Sequence, residues 1–419
     1  MTNRWTRRRV LTAAAAGAGA AAMPYLVPRG VLAAPGRPGA NDRINIVVIG
    51  VKSRGRAALS GCRNPLARLV GICDVDEEVL ANAGGGRGDV KGHVDYREVL
   101  ARDDVDAVAI ATPDHNHAHI AVAACKAGKD VFCEKPMTLT IREGRAMVEA
   151  VRRYGRVCQV GNQRRSDGSY AQMMELVRNG RIGEVKEVHV KVSCSRPGSS
   201  PPYKPQPVPR TFHYDLWLGP APWAPYDPAR CHYNFRFVRA YSGGEMTNWG
   251  AHFLDLMQWG LGMDDSGPVE VRPLGGNRPA DGIYDVFRDF RFEVTYASGV
   301  KGYVNMKGGG EVTFVGTEGT IGQGGGIRGV RNPTIGPDEW HCRRAVGDHF
   351  GDWLHCIRTR QDPTSRVEAG HRTATVCHLA NIALELGRTV RWDPLREQSS
   401  DEEVNRLTWR PYREPYTLE

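Results

Sequence analysis

The sequence predicts an α/β protein of two domains: a parallel-sheet domain, then an α+β domain whose sheet is largely antiparallel with one open face. Three observations carry this. Between residues 44 and 160, short and mostly apolar runs (INIVVI at 44–49, RLVGIC at 68–73, VDAVAIAT at 105–112, DVFC at 130–133) alternate with helical patterns, as buried parallel strands with crossover helices require. Beyond residue 185 the runs switch to apolar–polar alternation (VKEVHVKVS at 185–193, then 288–296, 300–306 and 311–315), which marks strands with one wet face. The length, 419 residues, also exceeds what one hydrophobic core usually sustains.

Ahead of the first strand, Thr6-Arg7-Arg8-Arg9-Val10-Leu11 leads into an alanine- and glycine-rich apolar run to Met23, with small residues near Ala33 and Ala34. This reads as a twin-arginine export signal over residues 1–33, and its cleavage leaves an exported, periplasmic protein. A membrane span would need roughly 20 strongly apolar residues, and Pro24, Pro28 and Arg29 interrupt the run, so no stable span is expected after cleavage. Cleavage removes Arg4, Arg7, Arg8, Arg9 and Arg29 and no acid, which lowers the formal charge from +9 by those five to +4. The remaining basic residues are scattered, which argues against a nucleic-acid footprint. Ten cysteines show no close-spaced framework, and a chain that folds before crossing the membrane keeps them as small core hydrophobes. Few or no disulfides are expected.

The first strand runs into Gly50-Val51-Lys52-Ser53-Arg54-Gly55, and residues 57–62 read as the start of a helix. Strand, glycine turn and helix together form the context of a dinucleotide site, with Gly50, Lys52, Ser53, Arg54 and Gly55 against the phosphates. Lys52 stands where the pattern G-x-G-x-x-G has its second glycine; backbone amides and the helix N-terminus still supply donors for an anion, and the lysine either turns away or pairs with a phosphate. By itself the stretch also fits a plain tight turn. The second strand ends at Asp74, where a carboxylate accepts ribose hydroxyls and repels a 2′-phosphate, favouring NAD over NADP.

The stretch TPDHNHAHIAVAACKAGKDVFCEKP at 112–136 places Thr112 and Lys135 at strand C-termini, the edge at which open α/β sheets bind ligands. A lysine fixed between Glu134 and Pro136 is suited to proton transfer, although Glu134-Lys135-Pro136 could also simply open the next helix with Thr138 or Thr140 as its cap. The alternating His115, His117 and His119 lack a cysteine or carboxylate at ligand spacing, so no metal site is assigned. Residues 157–160 form another strand leading to Gly161-Asn162-Gln163-Arg164-Arg165, followed by a helix at 170–179 and a six-proline loop at 196–210. Further on, Asn248 and His252 lie four apart on one helix face with Asp255 close behind; a helix cap for Asn248 and a satisfied core position for His252 fit this spacing too. The glycine-dense 316–336 is expected to form a loop or turn-rich edge, and 348–358 and 369–386 two closing helices.

From about residue 43 to 394 these motifs, with YSGGEMTNWGAHFLD at 241–255, resemble the Gfo/Idh/MocA oxidoreductase family. The resemblance implies a Rossmann NAD-binding domain at 42–161, a substrate and oligomerisation domain at 162–394 and a tail at 395–419. It places Thr112, Pro113, Asn116, His117, Glu134, Lys135 and Gln163 beside the cofactor and makes the Lys135–Pro136 peptide cis. Lys135 and His252 become the catalytic pair. Many relatives carry an aspartate at Asn248; an amide cannot act as a base, so Asn248 is left to position a hydroxyl. Arg164, Tyr214, Tyr233 and Arg236, with Tyr203 and Trp223, are candidates to line the substrate cleft.

The implied function is an exported NAD-dependent oxidoreductase acting on a sugar or glycoside, assembled as a dimer or tetramer through its open sheet. Export leaves no free NAD pool, so the cofactor is expected to be tightly bound and recycled. Two alternatives share the fold: a glycosidase that shuttles hydride out of and back into its substrate, and a non-catalytic sugar-binding protein.

Overall fold

The computed structural model describes residues 38–84, 90–194, 199–306, 308–323, 326–330 and 333–418. The export signal lies outside the described residues, as do parts of the 196–210 and 316–336 segments. The chain divides into a unit Met1–Arg43, whose described part is a short 3-10 turn at Ala40–Asp42, and a unit Ile44–Glu419, which contains all that follows.

The first sheet of that unit has six strands: β1 (Ile44–Ile49), β2 (Ala67–Cys73), β3 (Lys91–His93), β4 (Ala107–Ile110), β5 (Asp130–Cys133) and β6 (Cys158–Val160). All pair in parallel in the order β3-β2-β1-β4-β5-β6. Helices such as His117–Lys126 and Ile141–Arg153 cover one face and His349–Thr359 the other, so the central strands are buried on both sides, which is why they read as unbroken apolar runs. The strand order reverses between β1 and β4, and an open sheet of this kind leaves a crevice there, at the carboxyl ends.

The chain then enters an eight-stranded sheet of β7 (Val185–Lys191), β8 (Glu270–Asn277), β9 (Asp289–Thr295), β10 (Lys301–Asn305), β11 (Glu311–Gly316), β12 (Thr320–Gly322), β13 (Gly326–Arg328) and β14 (Val390–Arg391). Its order is β13-β12-β11-β7-β10-β9-β8-β14, antiparallel except for β7 with β10. Val188, Val190, Phe292, Val294, Val304 and Phe314 point inward to a core shared with the helices Gly168–Arg178, Gly250–Gly260 and Val367–Leu386. The alternate residues face outward and are largely polar: Lys191 pairs with Glu311, Lys301 with Glu293, and His189 stacks on Tyr303.

Two local departures from expectation have clear causes. Glu134-Lys135-Pro136 does not open the next helix; that helix starts at Ile141, where Thr140 and Glu143 close a capping box. β8 escaped the alternation pattern because Pro273 and Gly275 flank a register shift in it. All ten cysteines carry free thiols, eight of them buried. Among the described residues, no helix is long and apolar enough to cross a membrane.

The tail is packed rather than loose. Tyr412 donates its hydroxyl to Glu143 Oε1 (2.8 Å), Arg413 pairs with Asp215 (2.7 Å), and Tyr416 meets His119 edge-on with ring centroids 5.2 Å apart.

Candidate active site

The crevice at the β1–β4 switch is an open cleft bounded by the glycine turn, Asp74, the Thr112–Pro113 turn and Trp217. Its floor is set by backbone sterics. Gly50 has φ +83°, and a Cβ there would lie 2.7 Å from the Ala111 carbonyl oxygen; one on Gly55 would lie 1.9 Å from the Gly50 oxygen. The first and third positions of the glycine pattern therefore have to be glycine. Lys52, at the second, is exposed beside the cleft, and Ser53 takes up a left-handed φ of 47° before the helix Arg54–Gly61. Asp74 is held at the wall, its two oxygens accepting from Val51 N (2.9 Å) and Asp76 N (3.1 Å), and burial raises its pKa. Arg54, expected against a phosphate, instead donates Nε and Nη2 to Glu134 Oε1 at 2.9 and 2.7 Å, tying the glycine turn to the end of β5.

The alternating histidines serve the protein's own architecture. His117 bridges the Pro136 and Thr112 carbonyls (Nδ1 2.8 Å, Nε2 2.9 Å), stapling two strand ends together. His119 Nε2 is 2.9 Å from Asn116 Oδ1, and His115 Nε2 is 2.9 Å from the Trp217 carbonyl. Burial drives the pKa of His115 down to about 4 and of His119 to about 3. Asn116 also donates to the Trp217 carbonyl at 2.9 Å, so its amide faces the cleft wall in one fixed orientation. Thr112 Oγ1 is buried without a protein partner.

Lys135 follows the C-terminal end of β5, before a cis Lys135–Pro136 bond. Its Nζ donates to Asn248 Oδ1 (2.8 Å) and to the Asn248 carbonyl (3.1 Å). Burial lowers its pKa to about 8, against the opposing pull of Glu134 and Asp114. Asn248 is not a helix cap: it ends the short helix Glu245–Asn248, and its Nδ2 donates to Glu245 Oε2 (3.1 Å), which leaves Oδ1 turned to the lysine. One turn on, His252 packs against Trp249, and its buried Nδ1 has no protein partner. Burial first, then Lys135, Arg164 and Arg54, hold its pKa well below the usual range, so the ring is neutral.

Sequence reasoning missed Asp114, which acts on Lys135 electrostatically, with Oδ2 accepting from Ser242 Oγ at 2.6 Å and burial raising its pKa. The only local signal was its place directly after Thr112-Pro113.

The substrate candidates separate. Tyr233 and Arg236 line the cleft, the guanidinium 3.7 Å from the ring centroid. Arg164 lies over Phe253 at 4.1 Å and acts on His252. Tyr214 does not face the cleft: it is buried in an aromatic cluster, stacked on Trp217, with its hydroxyl donated to the Ala224 carbonyl (3.0 Å). Trp223 and Tyr203 are exposed outside the cleft lining. Gln163 is exposed at the start of the turn Gln163–Ser166. Asp255, close to His252 in sequence, is taken up structurally: Arg165 donates to both its oxygens at 2.9 Å and to Asp264 at 2.8 and 2.7 Å, in a buried ion-pair cluster.

Comparison with known proteins adds to this picture. Residues 44–162 match the family profile described as "Oxidoreductase family, NAD-binding Rossmann fold", and residues 198–418 match "Oxidoreductase family, C-terminal alpha/beta domain". Inositol 2-dehydrogenase 2 of Saccharopolyspora erythraea is 37% identical over 140 residues, 33% of this chain and 40% of that protein. The scyllo-inositol 2-dehydrogenase (NAD(+)) of Bacillus subtilis is 36% identical over 138 residues, again 33% and 40%. The match thus spans two-fifths of the length of these curated relatives. Among solved structures, the WlbA dehydrogenase from Bordetella pertussis in complex with NADH and UDP-GlcNAcA superposes with TM-score 0.65 at 21% identity, covering 84% of this chain and 99% of that one. The aldose-aldose oxidoreductase from Caulobacter crescentus does so with 0.61 at 20%, covering 83% and 99%. These structures share the fold.

Proposed function

The chain belongs to the Gfo/Idh/MocA oxidoreductase family, and on that premise we propose that it moves a hydride between NAD and a sugar or sugar derivative, with Lys135 as the proton-transfer group. The observation that carries this is the ammonium of Lys135, fixed on Asn248 at 2.8 Å with its pKa brought down to about 8. A lysine so tuned takes the proton of a carbinol while the hydride departs, and returns it in the reverse direction. Asn248 orients the amine. The neutral His252 ring, with a free buried nitrogen, is suited to hold a neighbouring hydroxyl.

NAD, when bound, supplies the hydride acceptor. The chain's residues fit it: the Gly50 and Gly55 positions keep the turn open to close backbone approach, the helix Arg54–Gly61 presents its amides, and the fixed Asp74 carboxylate suits ribose hydroxyls and disfavours a 2′-phosphate. The relatives named as inositol 2-dehydrogenases favour a polyol substrate. The Thr6–Leu11 motif supports export to the periplasm, where a tightly held cofactor reoxidised in place would serve an enzyme without a nucleotide pool. The polar open face of the second sheet supports self-association to a dimer or tetramer.

The test is turnover of a panel of polyols and sugars, followed by reduced-nicotinamide absorbance. Lys135→Ala should bind NAD with unchanged affinity and lose about 10²–10⁴-fold in kcat. Full turnover by that variant would remove the assignment.

A further inference from the structure

Several buried or half-buried arginines in this protein are matched to carboxylates. Arg165 holds Asp255 and Asp264, Arg145 holds Glu368 and Glu397, and Arg372 holds Glu368. Arg164, the neighbour of Arg165, has no such match, a condition it shares among the described residues with Arg230 and Arg236. Among the described residues no carboxylate pairs with it, no acceptor takes its N–H donors, and its Nη1 is buried without a partner. One face of the guanidinium lies on Phe253 at 4.1 Å, with Tyr170 at 5.5 Å. Stacking covers that face and leaves the in-plane N–H groups as the unfilled part of the side chain.

Position gives this vacancy a meaning. Arg164 bears on His252, as do Lys135 and Arg54, while Arg236 and Arg54 bear on Lys135. Glu134 is paired with Arg54, and Asp255, the carboxylate that acts on Arg164, is taken by Arg165; Asp114 bonds the neutral Ser242 and acts on the lysine. Arg164 is thus left without a paired carboxylate among the described residues, and a partly buried cation without a counter-ion is costly. A planar, forked donor with one face covered matches a carboxylate edge-on.

We propose that the substrate is a sugar acid and that Arg164 receives its carboxylate, orienting the sugar over Lys135 and His252. This rests on the oxidoreductase reading above and narrows its substrate class.

The experiment compares hexuronates and aldonates with their neutral parent sugars on the NAD-loaded protein, by calorimetric affinity and by kcat/KM. The expected result is a preference of about ten- to a hundredfold for the acids, the range of one charge-assisted hydrogen-bonded pair, shrinking as salt is raised. In Arg164→Gln the ratio of acid to neutral-sugar kcat/KM and affinity should fall towards one, whatever the effect common to both, and Arg164→Lys should restore part of it. Equal affinity for acids and neutral parents, or an equal loss for both in Arg164→Gln, overturns the pairing. A sugar phosphate preferred over every sugar acid overturns it too. Acid-selective binding without hydride transfer upholds the pairing and counts instead against dehydrogenation, so the two readings fail separately.

Discussion

At the scale of the residue, Lys135 draws its chemistry from burial. Its pKa is lowered from the ordinary lysine value to about 8, so the neutral amine is gained as pH rises through that point. Oxidation of a carbinol needs the base form, so kcat/KM in that direction should climb with pH and level off above about 8, whereas reduction, which needs the ammonium, should fall over the same range; pH–rate profiles in both directions check this. Asp74 offers a second residue-scale test. Asp74→Ser removes the charge that opposes a 2′-phosphate, and the ratio of NADP to NAD dissociation constants should move towards NADP by about tenfold or more. Lys135, Asn248 and His252 were legible because each sits in a short stretch whose neighbours betray it. The bonds that tune them were not: Arg54 meets Glu134 across 80 residues and Ser242 meets Asp114 across 128, and no local pattern records such meetings. Tyr214 misled because an aromatic residue beside a cleft and one in a core look alike in sequence.

At the scale of the element, the turn Gln163–Ser166 and the helix Gly250–Gly260 are held in register by Arg165, Asp255 and Asp264. Arg165→Met would leave two acids facing each other with no cation between them. It should cost about 3–5 kcal/mol of unfolding free energy, read by denaturant titration, because the penalty comes from the uncompensated buried charge. The same variant should disturb His252, which rides on that helix. Strands β1, β2, β4 and β5 were visible in the sequence because burial on both faces writes a continuous apolar run. β8 was not, since Pro273 and its glycines suit a bulged strand and a loop equally. The first helix begins at Arg54, before the predicted 57, because Ser53 accepts a left-handed φ that ends the glycine turn early.

At the scale of the whole molecule, the helix Val367–Leu386 touches both layers. It packs against Ile141–Arg153 of the dinucleotide half and against β8 of the second sheet, so the halves share one buried element. The sequence showed this helix but not that it is common to both halves, since its buried faces include polar residues such as His371, Thr375 and His378. The proposed export belongs to the entire chain and is tested there. Conservative replacement of Arg7 and Arg8 by lysine should leave folding and NAD binding intact while stranding the protein in the cytoplasm, as cell fractionation would show.

The packed tail sets a timetable. Tyr412 reaches Glu143 across 269 positions, and Tyr416 braces His119 at the back of the cofactor cleft. A ribosome adding about 5–20 residues per second will have finished the first sheet many seconds before it delivers that brace. The nascent dinucleotide half must therefore wait with an unbraced rear wall, and its nucleotide pocket can reach final shape only after translation is nearly over.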